Sequence, residues 1–310
     1  MSSRQADAAA TALGALDGAS VWLNSEPLRA EELRGRVVAV DFWTYSCVNW
    51  LRTLPYVSAW AERYRDRGLV VVGAHAPEFG FEHELDNVQR AVAELGVGYP
   101  VVIDNDFAIW RSFDNHYWPA LYLVDHDGRV RFHHFGEGAY EQIERAIQDL
   151  LRVDEETVDV DAGGLAEAAD WSTLGSPETY LGHARGERRS DARRGGLALN
   201  EWALAGEWSV GAEAAVLDAA GGAISYRFQA RDLNLVLAPP APGSRVGFAV
   251  TIDGRPPGEA HGLDAGESGE GVISEPRMYQ LVRQPGAVAE RTFEITFDEA
   301  GVRAYVFTFG

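Results

Sequence analysis

The most restrictive stretch of the chain is Val37-Val-Ala-Val-Asp-Phe-Trp43, a nearly continuous apolar run of strand length. A run of that kind buries both faces, so it belongs inside a sheet covered on both sides. Thr44 to Ser46 follow as a loop. Val48 to Arg67 then repeat apolar residues at helical spacing, with Leu51, Leu54, Val57, Trp60, Ala61 and Tyr64 on one face. Pro55 falls within this pattern and is expected to kink the helix. Leu69-Val-Val-Val-Gly-Ala-His75 reads as a second buried strand, parallel to the first because a helix joins them.

The same reasoning orders the remainder. Ala6 to Leu16 reads as a short helix and Val21 to Leu23 as a brief strand. After His75 come a helix from about Glu82 to Leu95, a strand over Tyr99 to Ile103 and a short helix over Phe107 to Phe113. Ala120 to Asp125 and Val130 to Phe135 flank Asp127-Gly128, a turn that makes them a hairpin. Tyr140 to Leu151 closes an α/β domain over residues 1–152. Residues 153–176, acidic and rich in Gly, Ala and Ser, read as a linker. Over 177–310 the period changes to two: Ile224, Tyr226 and Phe228 alternate with polar neighbours, as do Val246 to Ile252 and Phe293 to Phe297. Short alternating strands between Gly/Pro turns imply an antiparallel sandwich.

Charge and composition remove several classes of function. The formal net charge is −20, which argues against nucleic acid as a partner, since phosphate backbones need a concentrated basic surface. All basic residues other than His are Arg, so Schiff-base lysines, P-loop lysines and kinase lysines have no counterpart. No apolar run approaches the roughly 20 residues that span a bilayer, and no secretory leader is visible. With one cysteine no internal disulfide forms. These features set the expectation of a cytoplasmic protein with no membrane partner.

That cysteine, Cys47, follows a buried strand and stands at the first turn of a helix. Unpaired N–H groups and the helix dipole there favour a thiolate over the ordinary thiol of pKa about 8.5, which makes Cys47 a candidate nucleophile. An inert, buried Cys is the competing reading.

Asp41-Phe-Trp-Thr-Tyr-Ser-Cys-Val-Asn-Trp-Leu-Arg-Thr-Leu-Pro-Tyr-Val57 resembles the active-site segment of the thioredoxin-like C-terminal region of DipZ-type proteins. Further matching stretches are Pro77 to Glu82, Tyr99 to Asp106, Tyr117 to Leu123, His134 to Gly138, Pro177 to Gly182, Tyr226 to Leu237 and Tyr305 to Gly310. The resemblance covers residues 20–310. It implies a thioredoxin fold followed by an all-β, jelly-roll-like sandwich similar to carbohydrate-binding modules, in a family whose redoxin region is extracytoplasmic. It also implies that Trp118-Pro119 is a cis bond facing the nucleophile, the one inexpensive place for such a bond being X-Pro.

The segment departs from the family where the chemistry lies. The family resembles Cys-x-x-Cys; here the residues are Cys47-Val48-Asn49-Trp50, so the resolving position carries an indole. Dithiol exchange needs the second sulfur to release a mixed disulfide. The expectation is therefore single-cysteine chemistry at Cys47 on a small-molecule thiol or other specialised substrate, with no cofactor. Thr44, Tyr45, Asn49, Trp50, His75, Glu78, Trp118 and Pro119 are the expected substrate-contacting residues; Trp50 and Trp118 are expected outside the core, Trp50 either shielding the thiol from water or forming one wall of an apolar pocket. His75, together with Glu78 and Glu82, could act as a general base or be scaffold. Two alternatives stand beside this reading. One is a binding or scaffold module that lost redox turnover. The other is a one-cysteine peroxidase, because Thr44-Tyr-Ser-Cys47 is similar to the Thr-x-x-Cys of peroxiredoxins, although Val40 stands where that pattern has Pro. No metal site is expected, since the adjacent His133 and His134 face opposite sides of a strand. On the sandwich, Trp202 and Trp208 offer a stacking face for a glycan, and Tyr226, Arg227, Arg231 and Asp232 are as suited to stabilising the domain.

Overall fold

The computed structural model of the protein describes residues 13–190 and 196–310. The expected helix at Ala6 to Leu16 lies largely outside them; within them Ala15–Gly18 is a single 3-10 turn. The chain divides into two units, with the break between Ala166 and Glu167.

The first unit is built outward from its buried strand. After β1 (Trp22–Leu23), β2 (Val37–Trp43) has every residue buried. α1 (Val48–Arg63) runs through Pro55 as one helix. It stops four residues before the periodicity predicted, and a 3-10 turn leads to Gly68 at φ 102°, a conformation that suits glycine. β3 (Leu69–His75) lies parallel to β2, in register from Leu69 opposite Val37 to His75 opposite Trp43. α2 (Leu85–Glu94) is followed by β4 (Val101–Ile103), which pairs with β3 in parallel and with β1 antiparallel. α3 (Ala108–Ser112) leads to the hairpin of β5 (Ala120–Val124) and β6 (Val130–Phe135), and α4 (Tyr140–Leu151) completes the unit. The hairpin turn is fixed by Asp125, whose Oδ1 accepts from the backbone N of Asp127 and of Arg129. The sheet order β1-β4-β3-β2-β5-β6 places the buried strands β3 and β2 at its centre.

Alternation along β2 gives each face its own core. Val38, Val40 and Phe42 join Val72, Ala74, Val102 and Trp110 in one cluster. Trp43, on the opposite face, stacks on Trp50 of α1 with ring centroids 4.1 Å apart. Gly73, paired with Asp41 in the adjacent strand, makes this possible. A Cβ there would lie 2.8 Å from the Trp43 indole nitrogen and 2.9 Å from the Tyr99 ring.

The second unit is an antiparallel two-sheet structure. One sheet has the order β15 (Arg277–Arg283), β12 (Asp232–Ala238), β17 (Arg303–Phe309), β10 (Ala215–Leu217), β9 (Trp208–Val210), with β7 (Thr179–Tyr180) also paired to β17. The other runs β14 (Glu270–Ile273), β13 (Val246–Ile252), β16 (Arg291–Phe297), β11 (Ala223–Phe228), β8 (Trp202–Ala205). The alternating residues Ile224, Tyr226, Phe228, Phe293, Ile295 and Phe297 all enter one buried cluster with Leu233, Leu235 and Phe307. This is the sandwich that the period-two pattern implied.

Residues 153–176, read as a linker, are shared between the units. Val158 N donates to both carboxylate oxygens of Glu144 on α4, at 3.0 and 2.9 Å. Glu167 pairs with Arg231 at 2.9 Å and with Arg283 at 2.6 Å in the second unit. Among the described residues no helix is long and apolar enough to cross a membrane.

Candidate active site

Strand register brings three chain segments to one end of the first unit's sheet. β2 and β3 finish opposite one another at Trp43 and His75, and β5 begins at Ala120 paired with Phe42. The Cys47 turn, the residues after His75 and the segment before Ala120 therefore leave the sheet at the same end. The Trp118-Pro119 bond in the last of these is cis, as the resemblance implied. Hydrogen bonds tie the segments together. Ala76 N donates to Trp43 O at 3.0 Å. Trp118 Nε1 donates to Ala76 O at 3.0 Å, and Gly136 N to Pro119 O at 2.8 Å.

Cys47 is the N-cap residue of α1 and is half-buried. Its carbonyl accepts from Leu51 N at 3.0 Å, the first turn of the helix, and its N–H donates to Thr44 O at 3.3 Å, closing the turn that presents the thiol. The first N–H groups of a helix have no partners within it, so negative charge is favoured beside them. Asn49 and Trp118 are also part-exposed here, while Pro119 is buried.

Trp50 does not wall a pocket beside the thiol. It is 0% exposed, lies against Trp43, and donates from Nε1 to Asp41 Oδ2 at 3.0 Å. The indole points inward because α1 packs its apolar face on β2, and residue 50 falls on that face. Asp41 also accepts from Tyr99 Oη at 3.2 Å, while its Oδ1 is buried without a hydrogen-bond partner. Burial raises the Asp41 carboxyl to about 6, against the pull of the Trp50 and Tyr99 hydrogen bonds.

A second buried carboxylate is bonded to the residue that precedes the thiol. Glu82, 0% exposed, accepts from Ser46 Oγ at 2.6 Å. It also accepts from the backbone N of Glu78 at 2.6 Å and of Phe79 at 2.9 Å. Burial pushes it up to about 7, opposed by the Ser46 and Thr44 hydroxyls. His75, considered as a general base, is 0% exposed and neither ring nitrogen has a hydrogen-bond partner. Burial lowers it to about 3, with His83 acting in the same direction, so it is neutral and too weak a base for that task near neutral pH. Its ring stacks with that of Tyr45 and meets Trp43 edge-on. Thr44 and Tyr45 are buried, and Glu78 is half-buried. The residues placed at the surface of the site are thus Cys47, Asn49, Glu78 and Trp118, with Thr44, Tyr45, Trp50 and His75 beneath it. The significance of Glu82 rests on the fold of residues 77–83, which no local pattern reveals.

In the second unit, Trp202 is buried and donates from Nε1 to Glu187 O at 2.7 Å, so it serves the core and not a stacking face. Trp208 is half-buried, with Nε1 donating to Ala205 O at 2.9 Å. Tyr226 is buried, Arg227 pairs with Glu290, and Arg231 and Arg283 both bind the buried Asp232. An open pocket of about 590 Å³, lined by Asp253, Arg255, Glu259, Gln284 and Arg291 among others, lies elsewhere on this unit. Among the described residues no group of three or more His, Cys, Asp or Glu is disposed to hold a metal ion.

Known families match separate parts of the chain. Residues 14–133 match the AhpC/TSA family and residues 176–310 match the thioredoxin like C-terminal domain. Protein DipZ of Mycobacterium tuberculosis is 32% identical over 311 residues, covering 95% of this chain and 42% of its own length, and its counterpart in Mycobacterium bovis matches equally. The chain therefore spans less than half the length of these relatives. Thiol-disulfide oxidoreductase YkuV of Bacillus subtilis is 28% identical over 136 residues, which is 44% of this chain and 91% of that protein. Among solved structures, a thioredoxin-like protein in the oxidized form is 28% identical and covers 44% of this chain and 91% of its own, at a TM-score of 0.40. The chain is a DipZ-like homologue, joining a thioredoxin-like redoxin unit to an antiparallel β-sandwich.

Proposed function

We propose that this protein exchanges disulfides through Cys47 alone. The Cys47 thiolate attacks a small disulfide R–S–S–R′, forming Cys47–S–S–R and releasing R′–S⁻. A second, external thiolate R″–S⁻ then attacks the R sulfur, regenerating Cys47–S⁻ and releasing R–S–S–R″. No net electrons are gained or lost by the protein, and each step breaks one S–S bond and forms another. The substrates are a low-molecular-weight thiol and its disulfide, or a specialised small molecule that carries one.

The observation that carries this reading is the contrast between positions 47 and 50. Cys47 caps a helix and is part-exposed, whereas the position one turn on is filled by an indole stacked in the core and bonded to Asp41. Release of a mixed disulfide within this chain therefore lacks a second sulfur. The likeness to a thiol-disulfide oxidoreductase from Bacillus subtilis supports the reaction class.

Incubation of the native protein with oxidised glutathione tests the proposal by intact-mass analysis. One glutathione adduct is expected, reversed by excess reduced glutathione and absent from Cys47→Ser. A native protein that stays unmodified, while its denatured form is modified, would overturn the reading in favour of a module without redox turnover. The match to the AhpC/TSA family favours testing the one-cysteine peroxidase as well. Hydrogen peroxide would then convert Cys47 to sulfenic acid far faster than it oxidises an ordinary cysteine. Thr44, whose hydroxyl would have to orient the peroxide, is 0% exposed, which supports disulfide exchange over peroxide reduction.

A further inference from the structure

Glu82 joins the two loops that frame the thiol. Oε1 holds Ser46, the residue before Cys47, and Oε2 holds the backbone of Glu78 and Phe79 at the start of the loop after β3. That loop is in turn bonded, through Ala76 O, to Trp118 beside the cis-proline. A buried carboxylate with three donors is an expensive group to maintain without a purpose in geometry or charge. We propose that Glu82 is a positioning residue for Cys47, fixing the thiol's turn through Ser46 and coupling its own proton to the thiol's reactivity. The inference deepens the disulfide-exchange reading and rests on Cys47 being its nucleophile.

The coupling follows from which atom donates. When Glu82 is ionised, the Ser46 hydroxyl donates to it and a negative charge lies behind the thiol's turn, disfavouring a thiolate there. When Glu82 takes a proton from solvent, its own O–H becomes the donor, Ser46 becomes the acceptor, and that charge is gone. Because Glu82 is bonded to the residue that precedes the thiol, a change in its charge is felt at the thiol's turn. The titratable groups around Glu82 are Glu78 on the same loop, His83 next in the chain, His75 at the end of β3 and Cys47 on the facing turn. Burial together with the Glu78 charge raises Glu82, the Ser46 and Thr44 hydroxyls lower it, and the balance near 7 puts the exchange within the neutral range. His75 stays neutral throughout and contributes no charge.

The test is the rate of alkylation of native Cys47 by iodoacetamide, followed by mass spectrometry from acid to mildly alkaline pH, on the full chain. Wild type is expected to show a rise spread over two steps. Glu82→Gln is expected to show a single step displaced to lower pH, with a rate near neutral pH roughly threefold to tenfold above wild type. Ser46→Ala keeps the carboxylate and removes one hydrogen bond that lowers it, so its Glu82 step is expected at higher pH. Should Glu82→Gln fail to fold, Ser46→Ala decides the matter alone. Superimposable profiles with Cys47 still alkylated would remove Glu82 from this role and leave the nucleophile intact. A native Cys47 that resists alkylation at every pH would overturn both.

Discussion

Asp41 makes the stability of the first unit sensitive to pH. It is fully buried, with one oxygen bonded to Trp50 and Tyr99 and the other without a partner. Its carboxyl rises from 3.8 to about 6 on folding, chiefly through loss of solvation. A carboxyl held above its unfolded value binds its proton more tightly in the folded state. The contribution of Asp41 to stability is therefore greatest below about pH 4 and declines as pH rises toward 6, where the folded protein must begin to ionise a group already ionised in the unfolded chain. The decline from Asp41 amounts to about 3 kcal/mol at about 1.4 kcal/mol per unit. Glu82 extends the same trend, from 4.5 to about 7. Asp41→Asn keeps an acceptor for Trp50 and Tyr99 and cannot ionise. Urea denaturation is expected to find it about 2 kcal/mol more stable than wild type above neutral pH, with no gain at pH 4. An equal effect at both values would mean that Asp41 is not the ionising group.

At the scale of the element, α1 combines two tasks on opposite ends of its first turn. Its N-cap presents Cys47, and its inward face seats Trp50 against Trp43 and Asp41. Filling position 50 with an indole makes the helix start a packed element as well as a presenting one. Trp50→Phe retains most of the apolar area and loses the bond to Asp41, for an expected cost of about 1–2 kcal/mol. Trp50→Ala leaves a cavity as well, and its expected cost is about 3–5 kcal/mol. Denaturant midpoints read both, and the intensity of Trp fluorescence reports the loss of the stacked pair. A cost below about 1 kcal/mol for Trp50→Ala would show that the position is loosely packed.

At the scale of the whole molecule, the boundary between units is chemical as well as topological. Glu144 on α4 holds Val158 in the first unit, and the Glu167 carboxylate bridges Arg231 and Arg283 in the second. Both arginines also bind Asp232, which is 0% exposed. Gly175 N adds a backbone bond to Gln229 O at 2.8 Å. A fragment of residues 167–310 is therefore expected to be more stable in urea than one of residues 177–310. The difference should be about 1–2 kcal/mol, small because the Glu167 side chain is 43% exposed and solvent screens its pairs. Equal midpoints would show that residues 167–176 belong to neither fold.

Residues 37–43 and 69–75 declare a buried parallel pair from composition alone, and alternation at 224–228 and 293–297 declares a sandwich, because burial imposes a period that survives in sequence. The thiol's place at a helix start was legible for the same local reason, whereas the cis bond at Trp118-Pro119 was implied by the resemblance. Which way an indole points was not. Trp50 and Trp118 are alike as letters, yet one is sealed on Asp41 and the other reaches Ala76 at the rim. That outcome depends on which face of α1 meets β2. Glu82 was visible as an acid but not as Ser46's partner, since 36 residues separate them. Local periodicity records which side chains are buried; only the packing of distant segments decides what a buried polar group touches, and with it the charge around the thiol.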